Sequence, residues 1–188
     1  MDSSINTRLI AYLVILFLVT QGAVLYFMGQ PLQSQSGIIE IWHGIVKSPE
    51  NSQQLSDWYT YSHVIHGFIF YLFFSLLFPK LHPAIRLLCA LGVEMAWEIT
   101  ENTPWLINHY RQQALAMGYS GDTVLNSLAD SIAMIVGYII AWRSPIFITI
   151  LLALALEIGV AYSIHDNLTL NILNFFYQFD FIRSWQSS

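Results

Sequence analysis

Gly92-Val-Glu-Met-Ala-Trp-Glu-Ile-Thr-Glu-Asn102 follows the apolar run Ile85–Leu91 and continues what reads as a membrane-spanning helix, yet it carries Glu94, Glu98 and Glu101. The spacing is i, i+4, i+7, which at about 100° per residue puts the three carboxylates in one stripe roughly 60° wide. An ionisable side chain within a span costs about 3 kcal/mol on the mildest scale. A stripe of three therefore demands partners elsewhere in the chain.

The composition sets the class. Of 188 residues, 55% are hydrophobic and 15% aromatic, while only 10% are charged, where a soluble domain carries about a quarter. This predicts an all-α integral membrane bundle. Cys89 is the single cysteine, so an intrachain disulfide is excluded. A net charge of −5 with no basic patch argues against a nucleic-acid partner.

Along the chain, a polar lead (Asp2–Arg8) precedes Leu9–Met28, about twenty uncharged residues, the length that crosses a hydrocarbon core. It lacks the short apolar core and small-residue cleavage pattern of a signal peptide and reads as a retained span. Gly29–Thr60 is a polar loop with Trp42, Trp58 and Tyr59 as interface anchors. Further spans are expected at Tyr61–Pro79, Ile85–Ile107, Val124–Trp142 and Ile146–Ile164, with Pro104 loosening the last turn of the third. The tail segment Leu168–Phe176 has the pattern of an amphipathic interfacial helix. The whole chain, 1–188, thus reads as a single membrane domain of about five helices with a surface loop and tail. The short turns and their flanks hold Lys80, Arg86 and Arg143 without acids, against Lys47, Arg111 and Arg183 on the other side, which predicts a cytoplasmic N-terminus and an external C-terminus.

That topology gathers the polar residues. His63 and His66 begin a helix that enters from outside, Glu94, Glu98 and Glu101 end one that leaves, and Asp122, Asn126 and Asp130 begin another. They fall in one outer half of the membrane. His63 and His66 are at i, i+3, close enough on one face to bind one metal. With Glu94, Glu98 and Glu101 they form a ligand set suited to Zn, Mn or Fe. The strict Glu-x-x-His motif of di-iron bundles is absent. Without a metal the same set, Glu98 and Glu101 included, could relay protons; Asp122 and Asp130 are candidates for further ligands or a general base, and Arg111 for holding an anionic group such as phosphate. His43, His82 and His109 read as interfacial histidines, and Glu157 as an acid bonded to a neighbouring helix.

Several segments resemble, in order and over nearly the whole chain, a bacterial family of multi-pass inner-membrane proteins known as a domain of unknown function. They are Ile41-Trp-His-Gly44, Ser48-Pro-Glu-Asn-Ser-Gln53, Ser62-His-Val-Ile-His-Gly67, Glu94 to Asn102, Gly121-Asp-Thr-Val-Leu-Asn-Ser127 with Asp130, and Asp166-Asn-Leu-Thr-Leu-Asn171. The resemblance implies a cell-membrane location and no particular activity.

Three readings fit these residues. The first is a membrane-embedded enzyme, metal-dependent or not, acting on a lipid or lipid-linked substrate from the outer face. The second is an ion- or proton-coupled transporter, although no internal repeat of the kind common in carriers is visible. The third is an assembly or scaffold protein whose acids and histidines form a structural ion-pair network.

Overall fold

The computed structural model describes residues 6–113, 115–116 and 118–187. Positions 2–5 of the polar lead lie outside them. Among the described residues there are eight helices and no strand: α1 (Thr7–Phe27), α2 (Thr60–Leu77), α3 (Pro83–Glu101), α4 (Pro104–Tyr110), α5 (Val124–Arg143), α6 (Ile146–Ile164), α7 (Leu168–Phe176) and α8 (Asp180–Gln186). The starts are chemically marked. Asn6, Thr103, Thr123 and Asn167 each accept a hydrogen bond from a backbone N–H in the first turn of the helix that follows, satisfying a donor that the helix itself leaves free. His82 does the same for α3 through Nδ1, with Pro83 in the first turn. His82 is therefore a helix cap.

Four helices, α1, α2, α5 and α6, are long and apolar enough to cross a membrane. At 19 residues α3 has comparable length, but it carries Arg86 and the three glutamates. The helix expected to continue from Ile85 to Ile107 divides in two: α3 ends at Glu101, and Pro104 opens α4 instead of loosening the end of α3. Proline lacks the N–H that a continuing helix needs, and Thr103 caps the new start.

Helices α2 and α5 form the central pair. Gly67 and Gly137 sit at their crossing, where the two backbones meet with no side chain between them. Helix α3 packs on this pair and on α1, burying Phe74, Leu87, Ala90, Leu91, Met134 and Tyr138, with Val14, Phe17 and Leu18 of α1 against them. Helix α6 lies outside, through Ala153 and Leu156 against Ile65, Phe68 and Ala141. Only Val160 of α6 is fully buried, while Phe147, Ile150, Leu151, Leu154 and Ile158 are exposed. Apolar outer faces of this extent on α1 and α6 suit a hydrocarbon surrounding.

Glu157, the lone acid of α6, is explained by the reversal that follows. His165 adopts a left-handed backbone (φ 58°) that turns the chain back. The Glu157 carboxylate then accepts from Leu168 N and Thr169 N, both at 3.1 Å, and from Thr169 Oγ1. A carboxylate at the N-terminus of α7 meets free N–H groups and the positive end of the helix dipole.

Candidate functional site

The C-terminal ends of α1 and α3 and the N-terminal ends of α2 and α5 come together, and the polar interior is concentrated there. Helix α3 turns Glu94 and Glu98 inward, 0% and 1% exposed. Helix α2 presents His63 and His66 to them. His63 Nδ1 lies 2.6 Å from Glu94 Oε1 and 3.2 Å from Glu98 Oε1, and its Nε2 is 3.9 Å from Asp130 Oδ2 of α5. His66 Nδ1 is 3.1 Å from the other oxygen of Glu94. Both ring nitrogens of His63 thus face carboxylates. Asp130 also accepts from Thr60 Oγ1 at 2.8 Å, and Glu98 Oε2 accepts from Ser127 Oγ at 2.6 Å.

Donor atoms of His63, His66 and Glu94 lie within 4.8 Å of one another, and so do those of His63, Glu98 and Glu101. That is the ligand chemistry of a hard or borderline divalent cation: imidazole nitrogen with carboxylate oxygen. One atom in this cluster is left over. Glu98 Oε1 is buried without a hydrogen-bond partner: it faces His63 Nδ1, which is closer to Glu94. A buried, unpartnered carboxylate oxygen is costly unless a cation or proton meets it.

The remaining candidates are placed differently. Asp122 belongs to an adjoining node, where Oδ1 accepts from Tyr119 OH (2.8 Å) and Oδ2 from Asn102 Nδ2 (2.9 Å), while its own N–H donates to Asn102 Oδ1 (2.7 Å). Asn102 Nδ2 also reaches the Glu98 carbonyl at 2.9 Å, joining the two nodes. Arg111 is exposed, and its Nε donates to the Tyr119 carbonyl at 2.5 Å; it is not buried among the acids. His43 pairs with Glu40 at 2.8 Å, and His109 stacks on Trp105.

Residues that the sequence reading passes over complete the network. Gln21 of α1 is fully buried, donating to Ser127 Oγ (2.9 Å) and accepting from Ser131 Oγ (2.8 Å). A lone glutamine in an apolar span is the signal that could have found it. The first loop closes this end of the bundle. Gln53 Nε2 donates to the Gly121 carbonyl (2.8 Å), Asn126 Nδ2 to the Gln54 carbonyl (2.9 Å) and Thr123 N to the Ser52 carbonyl (3.2 Å). Asp57, 1% exposed, accepts from Ser52 N and Tyr59 N and turns the loop into α2.

Two acids at this end of the bundle, Asp122 and Asp166, the latter accepting from Tyr59 OH at 3.0 Å, are held above the usual carboxylate range. Burial raises both Asp122 and Asp166 to about 6, against hydrogen bonds from Tyr119 and Asn102 on the first, and chiefly from Tyr59 on the second. The folded state therefore holds these protons more tightly than the unfolded chain does. The corresponding stability is present at low pH and is lost as pH rises through about 6. The melting temperature of the purified protein is expected to be higher at about pH 5 than at about pH 7.5, with Asp122→Asn flattening the difference. A melting temperature that rises over that interval would refute this assignment.

A family model described as "Protein of unknown function (DUF2585)" matches residues 25–188. A UPF0314 protein of Sphingopyxis alaskensis is 46% identical over 165 residues, which cover 88% of each chain. One of Rhizobium meliloti is 46% identical over 170 residues, covering 90% of this chain and 86% of the relative. One of Brucella anthropi is 42% identical over 177 residues, covering 94% and 90%. No solved structure matches.

Proposed function

The chain belongs to the DUF2585 family of proteins of unknown function, and we propose that it is a membrane-embedded metalloenzyme acting on a lipid or lipid-linked substrate. In this reading it spans the bacterial inner membrane five times, with α3 as the third span, the N-terminus cytoplasmic and the closed end of the bundle outside. His63, His66, Glu94, Glu98 and Glu101 hold a divalent cation such as Zn, Mn or Fe. Asp130, beside His63 Nε2, is the candidate general base, with Asp122 supporting the adjoining node through Asn102. A bound cation would supply Lewis acidity and lower the pKa of a coordinated water. Arg111 is exposed, where it can hold an anionic headgroup at the surface.

The observation that carries the reading is the convergence of two imidazoles and three buried or half-buried carboxylates, with Glu98 Oε1 making no hydrogen bond and sharing His63 Nδ1 with Glu94. In a low dielectric these acids can be ionised together only where a cation meets them, and a divalent ion is the simplest such counterweight. Against a transport role, the opposite half of the bundle is closed by Phe74, Leu87, Leu91, Met134 and Tyr138. A second reading, a structural hydrogen-bond network, is favoured by the continuous chain Glu98–Ser127–Gln21–Ser131.

Metal analysis of the purified protein and of His66→Ala decides between them. Stoichiometric metal in the native chain, lost in the variant, is the expected result. Metal-free native protein, or unchanged content in the variant, overturns the metal centre.

A further inference from the structure

Two routes lead to the cluster, and they differ in kind. The route from the loop end is filled, because Gln53, Gln54, Asp57, Asp122, Thr123 and Asn126 are all buried there and bonded across the gap between the loop and α5. A cavity of about 310 Å³ does open at that end. It is lined by Gly44, Lys47, Leu115, His165 and Gln186 among others, and no residue of the His–carboxylate cluster faces it.

The other route is sideways. In the seam between α2 and α3, the side chain of His66 keeps 16% exposure, against 8% for His63, 7% for Asp130, 1% for Glu98 and 0% for Glu94. Of these five, His66 most reaches the surface, and it bonds Glu94 directly; Glu101, also half-buried, lies at the C-terminal end of α3. Its ring lies against Phe70 and Trp97, with centroids 5.7 and 6.5 Å away. Around it the two helices expose apolar side chains: Ile69 (48%), Phe73 (54%) and Val93 (44%). His66 is six residues into α2, about 9 Å along the axis from its start, a depth near the boundary between headgroups and acyl chains. With α2 entering the membrane at its start, as proposed above, one imidazole amid apolar side chains at that depth faces bilayer, not water.

We propose that this seam is the entry and binding site for a membrane lipid, whose headgroup reaches His66 and Glu94 laterally while its hydrocarbon chains lie along Ile69, Phe73 and Val93. The proposal rests on the membrane-embedded reading above and assigns the phase from which the substrate comes. The loop end then serves as a seal that keeps bulk water from a site supplied from the bilayer.

Carbodiimides of opposite solubility test the route. A carboxylic acid adds across the N=C=N group to give an O-acylisourea, which rearranges to a stable N-acylurea that retains the whole reagent, so peptide mass spectrometry locates the modified residue. Full-length protein in phosphatidylethanolamine–phosphatidylglycerol vesicles would be treated, with and without prior EDTA, with apolar dicyclohexylcarbodiimide or a water-soluble carbodiimide. The apolar reagent is expected to label Glu94 and the water-soluble one to leave it unmodified, while Glu40 at the loop surface reacts with the latter. Trp97→Ala, which widens the seam, is expected to raise Glu94 labelling by the apolar reagent several-fold. Labelling of Glu94 by the water-soluble reagent at an equal or greater rate overturns the proposal. So does a Glu94 that neither reagent reaches in the EDTA-treated native chain or in Trp97→Ala. Metal content measured on the same samples keeps the two inferences apart: a labelled Glu94 in metal-free protein leaves the seam standing and removes the metal centre.

Discussion

Gly137→Ala is expected to prevent the bundle from assembling. A Cβ added at Gly137 would lie 2.1 Å from the carbonyl oxygen of Val64 and 2.9 Å from its carbonyl carbon. One added at Gly67 would lie 2.2 Å from the Met134 oxygen and 2.4 Å from Tyr138 N. These neighbours are backbone atoms, so no rotamer change relieves the overlap. Helices α2 and α5 would have to separate, and they carry His63 and Thr60 on one side and Ser127 and Asp130 on the other. A methyl group here should therefore cost more than about 4 kcal/mol, in the exceptional tail of single substitutions. Gly159 of α6 has nothing within 4 Å of its virtual Cβ, so Gly159→Ala provides the neutral control. Yield of monodisperse protein after detergent extraction, followed by thermal unfolding, makes the comparison. A Gly137→Ala protein that melts with the native chain would show that the crossing is looser than described.

The second large effect concerns His63. The ring stands among Glu94, Glu98 and Asp130, and His63→Ala leaves these acids facing one another. Removing one member of a buried ion pair costs about 3–5 kcal/mol. Sharply reduced abundance is expected, with partial recovery when Glu94→Gln is added, because the second change removes part of the stranded charge. No recovery in the double variant would contradict this electrostatic account. Glu98→Gln separates the two functional readings on the same ground. Its amide oxygen still accepts from Ser127 while the ligating charge is gone. A metal centre predicts stable protein that has lost its metal; a structural ion-pair network that needs the Glu98 charge beside His63 predicts lower abundance.

Much of the helical layout is legible in the sequence, since uncharged runs near twenty residues long have few alternatives. Helix α6 occupies Ile146–Ile164, and α7 occupies Leu168–Phe176, as the apolar runs imply. The nearness of His63, His66 and Glu94 is readable too, because the reversal of direction at each short turn sets which helix ends share a level. What is not readable lies in contacts that only packing defines. Gly67 stands in the sequence as the residue after His66, and nothing local says that it meets the backbone of α5. Gln21 has its partners 106 and 110 residues away. Arg111 looks like a natural counter-ion to the acids, yet it ends exposed on a carbonyl, because the α4 segment carries it past the cluster instead of into it. The second helix of the tail, α8, is too short to leave a periodic signature.

The distances in sequence between the cluster's members have a consequence for biogenesis. His63 and Glu94 are 31 residues apart, and Glu98 must wait a further 29 for Ser127. When α3 emerges during synthesis, its carboxylates have histidines behind them but no α5 ahead, and α3 is too charged to partition into lipid alone. If α3 is the third span, as proposed, it has to linger at the insertion machinery or the membrane surface until α5 is made, and then enter with it. On the proposed topology, the buried polar interior also sets the order in which the helices can be stitched into the bilayer.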